Sequence, residues 1–307
     1  MGKKLRGLAA LSIFSAFAGG GLLAGGYLYR LTCAPRKIDE SERNPRTMDG
    51  RRFVRNHPHR QDHYINSIDE LRLHAVLIPA QTDDHRYAIC IHGVWDSSEG
   101  MGDIARKYLE RGYNVLLPDL RGHGKSEGRY IGYGYDDRLD ILEWIYWIIR
   151  RDKDARILLH GVSMGAATTL MTTGEHLPEN VRLAISDSSY STAEEEFKDV
   201  YEDQVGASIL PKSLAMLLLR LEILVRAGYD IRNAAPVAAV RRSQTPTLFL
   251  HGDADTFVDP RMCAQLYEAA ACDKRYTLIL GADHALGGYI DPDKYWGKID
   301  DFIGTYM

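Results

Sequence analysis

The sequence predicts an α/β fold built on a largely parallel sheet, and three observations carry that prediction. From about residue 62 onward, apolar runs of strand length alternate with longer stretches of helical periodicity, the pattern of strands joined by crossover helices. A Gly-x-Ser-x-Gly segment, Gly161 to Gly165, sits between the apolar run Arg156-Ile157-Leu158-Leu159 and the small-residue helical run Ala166–Met171. The 307 residues are 45% hydrophobic and 26% charged with a net charge of −4, ordinary globular composition with enough chain for a sizeable core. Neither sign of charge dominates, so nucleic acid is not expected as a partner. There is no internal repeat or low-complexity tract.

The N-terminus departs from this pattern. Lys3, Lys4 and Arg6 precede an uncharged run from Gly7 to Tyr29. As a helix, 23 residues suffice for the ~30 Å hydrocarbon core of a bilayer. The rival is a cleaved secretory signal with a small-x-small site at Thr32-Cys33-Ala34, but signal cores run only ~7–15 apolar residues, so length favours an uncleaved anchor. Residues 1–34 are therefore expected to be a single-pass membrane anchor or a signal. Lys3, Lys4 and Arg6 favour an inside N-terminus, whereas Arg30, Arg36, Lys37, Arg43 and Arg46 oppose it. Because long domains translocate largely regardless of charge, an extracytoplasmic location is expected for the folded domain, with a secreted protein as the alternative. Residues 35–60, basic and containing Pro35, Pro45 and Pro58, read as a tether, on which reading the chemistry should not depend on the anchor.

The domain proper then runs over 61–307. Strands are expected at 62–67, 71–78, 86–91, 114–117, 156–160, 182–186, 246–251 and 275–280, each a short apolar run bounded by turn residues. Helices are expected near 101–111, 136–151, 164–176, 260–271 and 293–305. The segment 188–245 breaks the alternation and is too long for an ordinary connection. The four cysteines form no CxxC or Cys/His cluster with metal spacing, so no metal is expected, and nothing implies a cofactor.

In the Gly-x-Ser-x-Gly turn the serine takes a strained backbone conformation, and a side chain at Gly161 or Gly165 would collide where strand and helix close on each other. Three further segments accompany it: Cys90-Ile91-His92-Gly93-Val94-Trp95, Pro118 to Gly128, and His251-Gly252-Asp253-Ala254-Asp255, followed by Gly281-Ala282-Asp283-His284. In this order the four resemble the α/β-hydrolase superfamily. The match is nearest to bacterial serine hydrolases of the aminopeptidase-like and esterase-like group, many with an N-terminal membrane segment. The resemblance implies an eight-stranded sheet. It also implies that 188–245, with its apolar Ser213–Val225 stretch, is a short helical cap after strand six.

A serine hydroxyl is a poor nucleophile without a general base, and the base needs an orienting acid. The superfamily's chain order is Ser, then Asp or Glu, then His. Of eleven histidines only His176, His251 and His284 follow Ser163. Only His284 follows the candidate acid. The resemblance makes Asp255 that acid, with Asp187 after strand six as the alternative. It gives Met164 as one backbone donor to the oxyanion and Val94 as the other, with Trp95 as the near alternative to Val94. Trp95 is also a candidate to line the substrate pocket or simply to pack, and His92 is expected to brace its loop. The Asp119–Gly128 loop reads as structural, and Glu194-Glu195-Glu196 as a solvated face.

The expected function is hydrolysis of carboxylic esters or thioesters through an acyl-enzyme, acting on a small acyl ester or lipid-derived substrate. The rival within enzymes is a serine aminopeptidase-like peptidase, for which Glu194–Glu196 or Glu222 would have to anchor the substrate's amine. The rival outside enzymes is a binding protein on a hydrolase scaffold.

Overall fold

A computed structural model describes residues 23–36, 44–82, 84–204 and 210–307. All eight apolar runs form strands: β1 (Gln61–Asn66), β2 (Arg72–Ile78), β3 (Arg86–Ile91), β4 (Asn114–Pro118), β5 (Arg156–Val162), β6 (Val181–Asp187), β7 (Thr247–Gly252) and β8 (Lys274–Ile279). They make one sheet in the order β1-β2-β4-β3-β5-β6-β7-β8. Only the β1–β2 and β2–β4 pairings are antiparallel, so from β4 to β8 neighbouring strands run in parallel. The central strands read as continuous apolar runs because both faces are covered. Ile89 and Ile91 point into one core and Ala88 and Cys90 into the other, all fully buried.

Among the described residues, eleven α-helices surround the sheet: α1 (23–32), then α2 (Met48–Asn56), α3 (Gly102–Glu110), α4 (Asp137–Ile149), α5 (Met164–Thr173), α6 (Ala193–Gln204), α7 (Lys212–Ala227), α8 (Pro236–Val240), α9 (Pro260–Ala269), α10 (Gly287–Ile290) and α11 (Pro292–Tyr306). The insertion after β6 holds α6, α7 and α8. Its inward residues, among them Phe197, Tyr201, Ala215, Leu219 and Ile223, join the core that also contains Met164, so it covers the carboxyl ends of the strands as a cap.

Two expectations for the N-terminal part need correction. Residues 44–56, assigned to the tether, are folded: Asn44 caps a turn at Pro45–Thr47, α2 follows, and Val54 is fully buried beneath it. Arg51, itself buried, bonds Asp96 at 2.6 Å. A Cβ on Gly102 would lie 1.9 Å from the Gly50 carbonyl oxygen, so α2 and α3 touch backbone to backbone. Pro45, which suggested a flexible connection, starts the turn instead, while Arg52 and Arg55 form an outer face and Arg51 is buried.

The second correction concerns the anchor. Residues 7–22 lie outside the described residues, and among those described no helix is long and apolar enough to cross a membrane. What is described, α1, packs on the domain. Leu28, Tyr29 and Cys33 are buried in the core, the Ile131 N–H donates to the Cys33 carbonyl at 2.7 Å, and the Tyr133 hydroxyl donates to the Thr32 carbonyl at 2.8 Å. Segment and domain are therefore not separable at Pro35. A chain beginning there is expected to melt on the order of 5–10 °C lower, since each buried large side chain contributes about 1.5–3 kcal/mol. Thermal unfolding of the two chains measures it; equal midpoints would mean that α1 contributes nothing.

Candidate active site

The turn from β5 into α5 carries Ser163 at φ 56° and ψ −121°, a conformation that costs a non-glycine residue about 1–3 kcal/mol and persists only when its surroundings enforce it. The enforcement is visible. The Ser163 N–H donates to the Asp187 carbonyl at 2.8 Å. A Cβ on Gly161 would lie 2.1 Å from the Gly165 oxygen, and one on Gly165 2.0 Å from the Ile91 oxygen. Both glycines are therefore required by backbone contact, as the crowding argument anticipated.

His284 follows β8 in a loop where Ala285 also takes a positive φ of 56°. Its Nε2 lies 2.9 Å from Ser163 Oγ and its Nδ1 2.8 Å from Asp255 Oδ2. An ionised carboxylate only accepts, so Nδ1 carries the proton and Nε2 is left to accept from the serine hydroxyl. Asp255 is held by the turn after β7: its Oδ1 accepts the Phe257 and Val258 N–H groups at 2.9 Å each. Its Oδ2 also lies 3.0 Å from His251 Nε2. Burial pushes the Asp255 carboxyl up, but hydrogen bonds from His251, His284 and Val258 outweigh it and hold the group well below the usual carboxylate range, so it stays charged.

Asp187, the alternative acid, is engaged elsewhere. It accepts from the Tyr295 hydroxyl at 2.7 Å and from Ser188 at 3.0 Å, and makes no hydrogen bond to His284. The neighbouring acids hold loops in place: Asp253 accepts from Gly281 N–H, Asp283 from Thr256 and His284 N–H, and Asp259 caps α9.

Val94 lies in the turn after β3, and Met164 opens α5, where the first helical N–H groups lack intrahelical partners. The Trp95 N–H is already committed to His123 Nε2 at 3.1 Å, which leaves Val94 as the free donor of that pair. His92 braces the loop as expected, with Nδ1 2.7 Å from the Gly93 carbonyl while Nε2 accepts from Leu120 N–H at 3.0 Å. The Asp119 carboxylate ties its own loop through Ser98 and Lys125 N–H and His74, which supports the structural reading.

Two cavities meet at Ser163, and Val94 and Phe257 belong to both. One, of about 540 Å³, opens between the β3–α3 loop and α10. The other, of about 110 Å³, runs under the cap and is lined by Trp95, Tyr133, Phe197, Tyr201, Met216 and Leu219, together with Leu28, Leu31 and Thr32 of α1. Trp95 is thus a pocket-lining residue, and its indole N–H is buried without a partner.

Sequence reasoning passed over three contributors. His251 reads in the sequence only as the end of a strand, although its position four residues before Asp255 puts it against that carboxylate. The leucines of α1 were hidden inside a run that reads as membrane. Glu196 reads in the sequence as solvated. It is 4% exposed, it lines the cap-side cavity, and neither of its carboxyl oxygens has a partner. Burial pushes its pKa up to about 8. Helical spacing had the signal: Ala193, Glu196, Phe197 and Tyr201 fall on one face.

Residues 89–207 match the alpha/beta hydrolase fold family and residues 216–289 the serine aminopeptidase S33 family. With the sheet order and the strained Ser163 turn, this places the chain in the α/β-hydrolase superfamily. It is similar to YqkD of Bacillus subtilis, an uncharacterised protein, at 25% identity over 73% of each chain. It is also similar to YfhR of Escherichia coli K12, likewise uncharacterised, at 28% identity over 76% of this chain and 77% of that one. Among solved structures, an esterase of Pyrococcus furiosus, Pf2001, superposes with a TM-score of 0.68 at 20% identity, over 89% of this chain and 98% of the other; at that identity the likeness speaks to the fold alone.

Proposed function

We propose that the protein is a serine hydrolase that cleaves carboxylic esters or thioesters through an acyl-enzyme, with Ser163, His284 and Asp255 as its triad. The observation that carries this reading is the continuous hydrogen-bonded series from Ser163 Oγ through the His284 ring to Asp255, opening at Ser163 onto two cavities. Ser163 Oγ attacks the acyl carbon while its proton passes to His284 Nε2, and Asp255 stabilises the imidazolium. The oxyanion of the tetrahedral intermediate is met by the Val94 and Met164 N–H groups. Collapse breaks the bond to the leaving oxygen or sulfur, which takes the proton from His284. Water then attacks the acyl-serine, gives its proton to His284, and releases the acid as Ser163 regains its hydrogen. The enclosed cap-side cavity suits a short- to medium-chain acyl group, and the wider one the leaving group. The uncharged residues that precede α1, 7–22, are proposed to hold the enzyme at a membrane with the catalytic domain extracytoplasmic. A graded series of p-nitrophenyl esters tested beside aminoacyl arylamides checks the substrate class, and cleavage of arylamides without ester cleavage would refute the ester reading.

Glu196 favours a second reading, a peptidase that anchors a substrate amine on this unpartnered carboxyl. The two readings differ in pH dependence. An amine anchor works ionised, so arylamide KM should fall as pH rises through about 8, and Glu196→Gln should remove that fall. Under the ester reading KM is flat across that range. In either case stability carries a sign. The unfolded chain releases this proton near the ordinary value of 4.5, whereas the folded chain retains it to about 8. The folded state binds more protons between those limits, so stability falls as pH rises through the window. Glu196→Gln should flatten that slope in urea unfolding at pH 5 and pH 9, and an unchanged slope would show that the carboxyl ionises freely in the folded protein.

A further inference from the structure

On the outer side of the cap and of α1, leucine stands where helices of a domain in water carry charge. Ala215, Leu219 and Ile223 of α7 turn inward, while Leu214, Leu217, Leu221 and Leu224, three and four residues apart, are 41–49% exposed on another face. On α1, Leu23, Tyr27 and Leu31 are spaced four apart and are 76%, 62% and 46% exposed. The helices lie side by side, for a Cβ on Gly25 would be 3.1–3.3 Å from Glu222 and Leu218. Two exposed apolar stripes therefore flank one helix–helix contact, and exposed apolar surface of this extent marks an interaction surface. Leu31 belongs both to this surface and to the wall of the cap-side cavity at Ser163.

The length of the uncharged N-terminal run bears on what covers the patch. Gly25, Gly26, Leu28 and Tyr29 are buried against the cap and core, so they are not available to lipid. Of the uncharged run, sixteen residues, 7–22, precede α1. Sixteen residues are fewer than the roughly 20 that a helix needs to span the ~30 Å hydrocarbon layer. The run crosses that layer only if the first turns of α1 enter it too. That brings Leu23 and Tyr27, and the adjoining leucines of α7, to the hydrocarbon edge. Tyrosine concentrates at that depth, and the exposed Arg30 and Arg226 then lie near the phosphates. A second copy of the chain would cover the leucines but would leave the run too short.

We propose that the α1–α7 face docks into the interfacial layer of a phospholipid bilayer, and that the edge at Leu31 admits the acyl chain of a lipid-derived ester from that layer to Ser163. The docking stands independently of the chemistry, whereas the entry route rests on the ester reading above. The test uses the full chain with phosphatidylcholine–phosphatidylglycerol vesicles. The four native cysteines are free and buried, so Leu221→Cys can be labelled selectively with the environment-sensitive fluorophore NBD. Docking is expected to shift its emission to the blue on vesicles. Leu217→Asp with Leu224→Asp is expected to lower hydrolysis of a vesicle-borne lipid with a medium-chain acyl ester by about tenfold or more, given the apolar area withdrawn from the interface, while a soluble short ester is cleaved at an unchanged rate. No blue shift on vesicles overturns the docking whatever the activity. A shift in buffer alone that grows with protein concentration also overturns it, in favour of a second copy. A blue shift with unchanged vesicle-ester hydrolysis in the double variant overturns the entry route. A blue shift from a protein that cleaves no ester leaves the docking standing and removes the ester reading.

Discussion

Ser163→Ala is expected to abolish labelling by a fluorophosphonate and to lower kcat for ester hydrolysis by about 10⁶, the scale on which removal of a triad serine acts. The probe needs a serine whose proton has somewhere to go and whose adduct oxygen finds donors. Ser163 has His284 Nε2 at 2.9 Å and lies between Val94 and Met164. The loss should come without unfolding, because the strained turn is held by Gly161, Gly165 and the Ser163 N–H bond to Asp187 and not by the hydroxyl. Circular dichroism and thermal unfolding check the fold, and gel fluorescence checks the label. Labelling that survives the substitution at full intensity would move the nucleophile to another residue.

Much of this site was legible because it is carried by short-range pattern and chain order. β3, β5, β6 and β7 are covered on both faces, so burial demands continuous apolar runs and the strands show plainly. Ser163 lies in a turn whose backbone contacts admit glycine alone at Gly161 and Gly165. Order along the chain then selected His284 from eleven histidines. What the sequence hid were residues whose role depends on a distant partner. α1 reads as membrane because its buried face, Leu28 and Tyr29, and its exposed face, Leu23 and Tyr27, are both apolar, so no periodicity separates core from surface. α2 was masked by its arginines, one of which, Arg51, is buried against Asp96, 45 residues away. Glu196 sits in a run of three glutamates. Glu194 pairs with Lys198 and Glu195 accepts from Ser191, whereas Glu196 turns into the cavity. Composition treated the three alike, and only the helix face distinguishes them.

Asp255→Asn is expected to lower kcat by about 10⁴ with little change in KM, and Asp187→Asn to change kcat far less. The carboxylate keeps the His284 proton on Nδ1 so that Nε2 faces Ser163 ready to accept, and it stabilises the imidazolium once the serine proton has moved. An amide can turn its N–H toward Nδ1 and so favour the wrong tautomer. Asp255 Oδ1 is already committed to the Phe257 and Val258 N–H groups. An amide that keeps its oxygen toward those donors must present its nitrogen to His284 and His251. The geometry therefore biases the substitution toward the inactive arrangement. Asp187→Asn instead removes charge from a group held by Tyr295 and Ser188, so its effect should fall on thermal stability. Steady-state kinetics on one soluble ester, with unfolding midpoints for both variants, separates the two roles. If Asp187→Asn lost the 10⁴ and Asp255→Asn did not, the acid would lie at the end of β6, and the hydrogen bond between His284 and Asp255 would be only structural.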